Sequence, residues 1–487
     1  MSHLSRREYL KRLAALAGLG SAAPFALNLA GLGAASAQSA PDYRAIVCLF
    51  MFGGNDHNNM IIPYDQAAYD AYAAARSGNR TAGGIAYDRS QLTATKFSPA
   101  TAQSSSAEFA FCPPMAPLQA LFTAGKLAIL PNIGPLIAPT NRTSYLANSV
   151  ALPPKLFSHN DQQAVWQSYA AEGGKAGWGG RMGDLLASSN SSTVFTAISA
   201  SSNAVFLAGQ NIFQYQIGTN GATPVTAVNS SPFGLSGAAG TAARTALSQL
   251  VTDSVAAGTL YMESDHADLV KRSIDASGTV SSALATVPTS TAGISLPTAL
   301  ANNSLALQLQ VVARLIASRS SLGAKRQVFF VSIGGFDTHD NEITTLEDNA
   351  NTGALGLHSQ VARSMDYFYS AMGSLGLQNN VTLFTASDFG RTLTSNGDGS
   401  DHGWGAHHFV LGGAVKGGDM YGTMPAVRLH TTANPNLADA GSGRFIPTTS
   451  VDSLAVTLGR WFGVSSADFS LIAPNIANFN NDLGFLA

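Results

Sequence analysis

The chain has 487 residues, enough for one large α/β domain with insertions or for two ordinary domains, and either can bury a sizeable core. Lys and Arg number 27 and Asp and Glu 29, together 11% of the residues, against about 25% in an ordinary soluble protein. Such low charge argues against a coiled coil, a polyelectrolyte tail and a nucleic-acid-binding surface. Gly (48 residues), Ala, Ser, Thr and Asn fill the gap, a composition that suits an exported, loop-rich globular protein.

Taken in order, the first element is a leader. Ser5-Arg6-Arg7-Glu8-Tyr9-Leu10-Lys11 has the form of a twin-arginine export signature. A soft apolar stretch over 13–32 follows, interrupted by Gly18, Gly20, Pro24 and Asn28, and Ala35-Ser36-Ala37 offers a small-residue cleavage site before Gln38. Residues 1–37 are therefore expected to be removed on export to the periplasm or beyond, leaving 38–487 with 23 basic and 28 acidic groups, a formal charge of −5. A stable span needs about 20 predominantly apolar residues, which neither the interrupted leader nor any later segment supplies.

The mature chain opens on an unbroken apolar run, 44–52, the pattern of a central strand covered on both faces. Shorter runs follow at 126–130, 327–333, 381–386 and 408–411. Between them lie helix-like stretches at 114–124, 161–171, 241–273, 298–320, 356–374 and 451–462. This alternation predicts a doubly wound α/β domain whose mostly parallel sheet carries helices on both faces. Residues 211–240 and 275–297 are rich in Ser, Thr, Gly, Ala and Pro and bracket the long helical stretch, so 205–297 is expected to be a cap-like insertion in a single domain. Cys48 lies within the first apolar run and is expected to be a buried thiol; with Cys112 it makes too few cysteines for a disulfide scaffold or a cysteine-built zinc site.

Chemistry-capable residues gather just past the strands. Gly53-Gly54-Asn55-Asp56-His57-Asn58, Gly334-Gly335-Phe336-Asp337-Thr338-His339-Asp340 and Ser387-Asp388-Phe389-Gly390-Arg391 each follow an expected strand. In an open α/β sheet the carboxyl ends of the strands meet at one edge, where ligands bind. A fourth cluster, Asp401-His402-Gly403-Trp404-Gly405-Ala406-His407-His408, leads into a strand instead. Asp and His suit Zn²⁺ and Mn²⁺, and carboxylates also suit Mg²⁺ and Ca²⁺. Singly, an Asp or Asn after a strand is a turn-former or a helix cap, and a lone His a hydrogen-bonded structural residue. Converging, they point to a shared metal or polar catalytic site.

Ser158-His159-Asn160-Asp161 precedes a helical stretch and has two compatible readings: an N-cap, or a hydroxyl nucleophile at a helix N-terminus, where the exposed N–H groups stabilise an anion. A Gly-x-Ser-x-Gly elbow, a Walker loop and His-Glu-x-x-His are all absent.

The quoted clusters, with Gly177-Trp178-Gly179-Gly180-Arg181-Met182, resemble over nearly the whole mature chain a family of twin-arginine-exported proteins known only as a domain of unknown function, within the alkaline-phosphatase and sulfatase superfamily. The resemblance implies a two-metal site at the strand ends and transfer or hydrolysis of phosphate or sulfate esters. Residue by residue it implies Asp56 as the first-strand ligand, Ser158 as nucleophile, Asp337 and His339 as a ligand pair, Asp388 as a second-metal ligand, and His408 or His407 as the late histidine ligand. It also departs from the pattern. Phe389 stands where the superfamily carries a second-metal histidine, which His402 or His159 would have to replace. Asp337 and His339 are closer in sequence than usual, and Phe157 precedes Ser158 where an arginine is expected.

The expectation is an exported hydrolase of small or polymeric phosphate or sulfate esters using one or two divalent ions, with Arg391 steadying the transferred anion. A non-catalytic binding or assembly protein that keeps the fold is the alternative, favoured by Phe389. A metal-free serine esterase using Ser158 is a third.

Overall fold

The computed structural model describes residues 42–223, 234–256 and 261–486; the expected leader and part of the 211–240 excursion lie outside the described residues. The apolar run after the leader forms β1 (Arg44–Met51), buried along nearly its whole length. An eight-stranded sheet is built around it from β2 (Leu127–Gly134), β3 (Ala197–Ser199), β4 (Tyr215–Gln216), β5 (Arg326–Ile333), β6 (Val381–Ser387), β9 (Ala406–Gly412) and β10 (Thr449–Ser450), in the order β10-β2-β9-β6-β1-β5-β3-β4. Between β6 and β9 the chain forms a separate antiparallel ribbon, β7 (Arg391–Ser395) with β8 (Ser400–His402).

The sheet is mostly parallel, as the alternation of runs and helices predicts. β1 pairs in parallel with β5 and β6, and only β9 runs antiparallel to its neighbours β6 and β2. Helices α1 (Ala116–Thr123), α6 (Ser304–Ala317) and α7 (Leu357–Ser374) contribute to a core on one face, where Leu309, Val312 and Met365 pack with Val47 and Leu49. On the other face α2 (His159–Ser168), α3 (Trp178–Leu186) and α8 (Val451–Phe462) enclose Ile46, Cys48 and Phe50 with Trp166, Trp178 and Leu458. Alternate residues of β1 thus enter opposite cores, which is why the strand shows no polar alternation. Both cysteines are buried free thiols.

The helical stretch expected over 241–273 is two helices, α4 (Gly237–Ala256) and α5 (Tyr261–Ala285). Ala276, Val280, Ala283 and Leu284 of α5 enter the first core. Around Arg272–Thr279 this helix lines a cavity with Ser320–Gly323, the residues just before β5. That places the inner half of the expected cap at the amino end of the sheet, opposite the strand-end loops. Among the described residues no helix is long and apolar enough to cross a membrane.

β1 sits where the strand order reverses, with Met51 level with Ile333 of β5 and Ser387 of β6. The polar loops that follow these strands therefore leave the sheet side by side. Antiparallel β9 starts at this same edge, since its Ala406 pairs with Ile133 near the end of β2. The strand begins earlier than the expected 408, so His407 and His408 lie within it.

Candidate metal centre

Asp337 is the hub of the polar edge. Its Oδ1 lies 3.0 Å from Arg391 Nη1, 3.2 Å from His339 Nε2 and 3.3 Å from His402 Nε2, while Oδ2 lies 3.5 Å from His159 Nε2. His339 Nε2 and His402 Nε2 are 2.9 Å apart. Ligand atoms of His159, Asp337 and His402 all fall within 4.8 Å of one another. These side chains come from the α2 N-terminus, the loop after β5 and the end of β8.

The outer ring nitrogens each face an acceptor. His159 Nδ1 faces Asp388 Oδ2 at 2.7 Å, His402 Nδ1 faces the Phe157 carbonyl at 2.8 Å and His339 Nδ1 faces Asp401 Oδ1 at 3.3 Å. Each partner accepts, so each Nδ1 carries a proton, and a ring that is neutral presents the lone pair of its Nε2 to Asp337. Three Nε2 atoms and a carboxylate are turned towards one another, and with all three rings neutral this arrangement repels itself unless a cation or a shared proton lies among them. The bond to Asp388 raises the pKa of His159, while burial lowers that of His402. Asp337 is pushed up by partial burial, but the hydrogen bond and charge of Arg391 outweigh this and hold it low.

Rigid supports hold the ring. Phe157 adopts a left-handed backbone (φ 72°), unusual for a bulky residue, and aims its carbonyl at His402. Arg444 braces both, donating from Nε to the His402 carbonyl at 2.9 Å while its guanidinium lies 5.3 Å from the centre of the Phe157 ring. The Phe389 ring packs against His159 and His402, with centroids 4.8 and 4.6 Å apart. Asp388 Oδ2 also accepts from Gln163 Nε2 at 2.8 Å and the Gly53 N–H at 3.1 Å.

Asp337, His339, Asp388 and His402 thus meet as neighbours, and His159, named in the sequence only as a substitute ligand, joins them. Several other expected site residues are placed otherwise. Asp56 is fully buried and ion-paired to Arg76, which also bonds Glu342 at 2.7 Å; its carboxylate additionally accepts from the Asn58 N–H, leaving it part of the scaffold. His408 lies inside β9, its Nδ1 3.2 Å from Thr385 Oγ1 and its ring beside Trp166, and burial lowers its pKa to about 3. His407, on the other face of that strand, accepts from the Asn132 N–H at 2.9 Å and packs edge-on to His57. Neither histidine has a polar contact to the Asp337 group.

Arg391, expected to steady the transferred anion, is placed away from solvent. It opens β7, is fully buried, and spends its guanidinium on the carbonyls of Ser400 and Gly53 and on Asp337. Ser158 occupies the N-cap of α2 as the sequence suggests, but its hydroxyl donates to Asp161 Oδ2 at 2.9 Å instead of accepting from the backbone. It lies between Phe157 and His159, both of which touch the ring.

Fold and site together define an α/β protein with a histidine–carboxylate centre at the switch point of a mostly parallel sheet. The chain belongs to the DUF1501 family, described as "Protein of unknown function (DUF1501)", whose pattern matches residues 43–468. No curated protein matches it. Among solved structures it is similar to the lipoteichoic acid synthase LtaP from Listeria monocytogenes, at 8% identity over 89% of this chain and 76% of that one, with a TM-score of 0.36. It is also similar to a Bacteroides thetaiotaomicron protein from a locus for metabolism of multiple glycosaminoglycans, at 9% identity over 88% and 74% of the two chains, TM-score 0.33. A third likeness is to the C-terminal periplasmic domain of EcEptC from Escherichia coli, at 10% identity over 91% and 89%, TM-score 0.31.

Proposed function

We propose that this chain is an exported, metal-dependent hydrolase of phosphate or sulfate esters, delivered folded by the twin-arginine pathway to the periplasm or beyond. The observation that carries the reading is the convergence of three Nε2 atoms on the Asp337 carboxylate, each imidazole oriented by an acceptor behind it. Metal-ligating histidines are held in this way by carboxylates or carbonyls behind the ring. His159, His339, His402 and Asp337 would hold the ion, and a set of three imidazoles and one carboxylate favours Zn²⁺ or Mn²⁺ over oxygen-seeking Mg²⁺ or Ca²⁺. A divalent ion there supplies charge to polarise an ester oxygen and to acidify an attacking hydroxyl.

The chain's own residues account for the rest. Asp337 (side chain 47% exposed) and His339 (43%) open the centre to an incoming ester, large or small, while His402 (24%) and His159 (28%) form its inner wall. Ser158 is the nucleophile of this reading, and Asp161, already accepting its hydroxyl proton, is placed to take that proton. The protein as exported and purified without chelator should contain Zn²⁺ or Mn²⁺ and cleave an aryl phosphate or aryl sulfate. Asp337→Ala should lose both the metal and turnover, and Ser158→Ala should keep the metal and lose turnover by at least about 100-fold. Phe389, an apolar ring within the centre, favours a second reading as a binding or assembly protein. A fully metallated chain inert to both ester classes would establish that role. Activity that survives chelation but not Ser158→Ala would instead identify a serine esterase.

A further inference from the structure

We infer that the centre holds one divalent ion, and that the second position implied by the superfamily resemblance is replaced by protein: a buried guanidinium, a phenyl ring and a carboxylate turned to support a histidine. The inference rests on the metal-hydrolase reading and specifies its stoichiometry.

Asp388, the implied second-metal ligand, has Oδ2 engaged by three donors, His159 Nδ1–H, Gln163 Nε2–H and the Gly53 N–H, while its buried Oδ1 has no hydrogen-bond partner. It orients the imidazole whose other nitrogen faces Asp337, the role of an acceptor behind a ligating histidine. The next residue, Phe389, is 1% exposed and fills the space between Gly54 and the rings of His159 and His402. A Cβ on Gly54 would lie 2.4 Å from Phe389 Cε2, so the ring has taken up the available room. Asp56, the other residue implied as a ligand from the first strand, is paired with Arg76.

Charge completes the argument. Asp337, Asp388 and Asp401 bring three negative charges to the ring of histidines, and Arg391 sets a permanent positive charge 3.0 Å from Asp337 Oδ1. With the Arg444 guanidinium also bonded to the His402 carbonyl, these groups sum to −1, so one divalent ion already brings them to +1 and a second would add surplus positive charge beside guanidiniums that cannot lose their protons.

The test is metal stoichiometry on the natively exported mature chain, purified without chelator and then equilibrated with Zn²⁺ or Mn²⁺, with elemental analysis and Mn²⁺ electron paramagnetic resonance as readouts. We expect one equivalent, a single-ion hyperfine pattern, and loss of the metal in His402→Ala and Asp337→Ala. Asp388→Asn keeps the shape of the side chain and should still bind one equivalent, about 10–100-fold more weakly. Two equivalents, or a spin-coupled Mn²⁺ pair that Asp388→Asn reduces to one ion, overturn the single-ion inference and leave the hydrolase reading intact. No bound metal at all overturns that reading itself, and the lone pairs must then share a proton. Circular dichroism of each variant separates lost binding from lost folding.

Discussion

Glu342 sits in an environment far from the ordinary for its type. It is fully buried among Arg76, Ser400 Oγ at 2.5 Å and Thr338 Oγ1 at 3.3 Å, with Asp56 paired to the same Arg76 nitrogen. Burial and then the Asp56 charge raise its pKa from 4.5 to about 8, against the pull of Arg76. The folded state therefore holds this proton where the unfolded chain has released it. Its contribution to stability is complete below 4.5 and is lost as pH rises towards 8. In Glu342→Gln the amide cannot ionise, so urea denaturation across this window should give a flatter stability profile than the wild type. The same residue anchors Ser400, whose carbonyl holds Arg391, so a carboxyl remote from the centre helps fix Asp337.

At the level of elements, the sequence reveals most of the frame. Unbroken apolar runs locate the long strands to within one or two residues at most ends, because strands buried on both faces admit few polar side chains. It hides the direction of β9, since apolar runs read alike in parallel and antiparallel strands. That direction decides the site: an antiparallel β9 brings the preceding ribbon, with His402, to the edge where the parallel strands end. It also explains why His408 falls inside the sheet while His402 reaches the cluster. Arg391 misleads for a similar reason, because a buried guanidinium satisfied by backbone carbonyls leaves no trace in spacing. His159 is legible as part of a helix-cap motif and as a substitute ligand, and its place in the cluster shows only once Asp388 is seen behind it. The contact between Gly54 and Phe389 makes a separate prediction. Gly54→Ala combines a left-handed backbone (φ 81°) with a steric collision and should cost about 2–3 kcal/mol in chemical denaturation. Shortening the ring in Gly54→Ala/Phe389→Leu should recover the steric part and leave the backbone part.

For the molecule as a whole, a ligand that binds only the folded chain stabilises all of it through mass action. Zn²⁺ at about 100 times its dissociation constant should add about 2.7 kcal/mol and raise the Tm by about 3 °C for a domain of this size, measured by calorimetry. In Asp337→Ala the increment should vanish.

The supports of the histidine ring are scattered from Gly53 through Phe157 and Asp388 to Arg444, only about forty residues before the end of the chain. No contiguous fragment short of nearly the full chain contains all of them, and the contacts they make join distant segments, which form late because long loops must close first. On the metal-dependent reading proposed above, ion binding would report that these distant segments have come together, since a chain in which they have not met would have the histidines without the geometry. If the chain is delivered folded, as proposed above, it would have to acquire that ion before departure, from the supply on the inner side of the membrane.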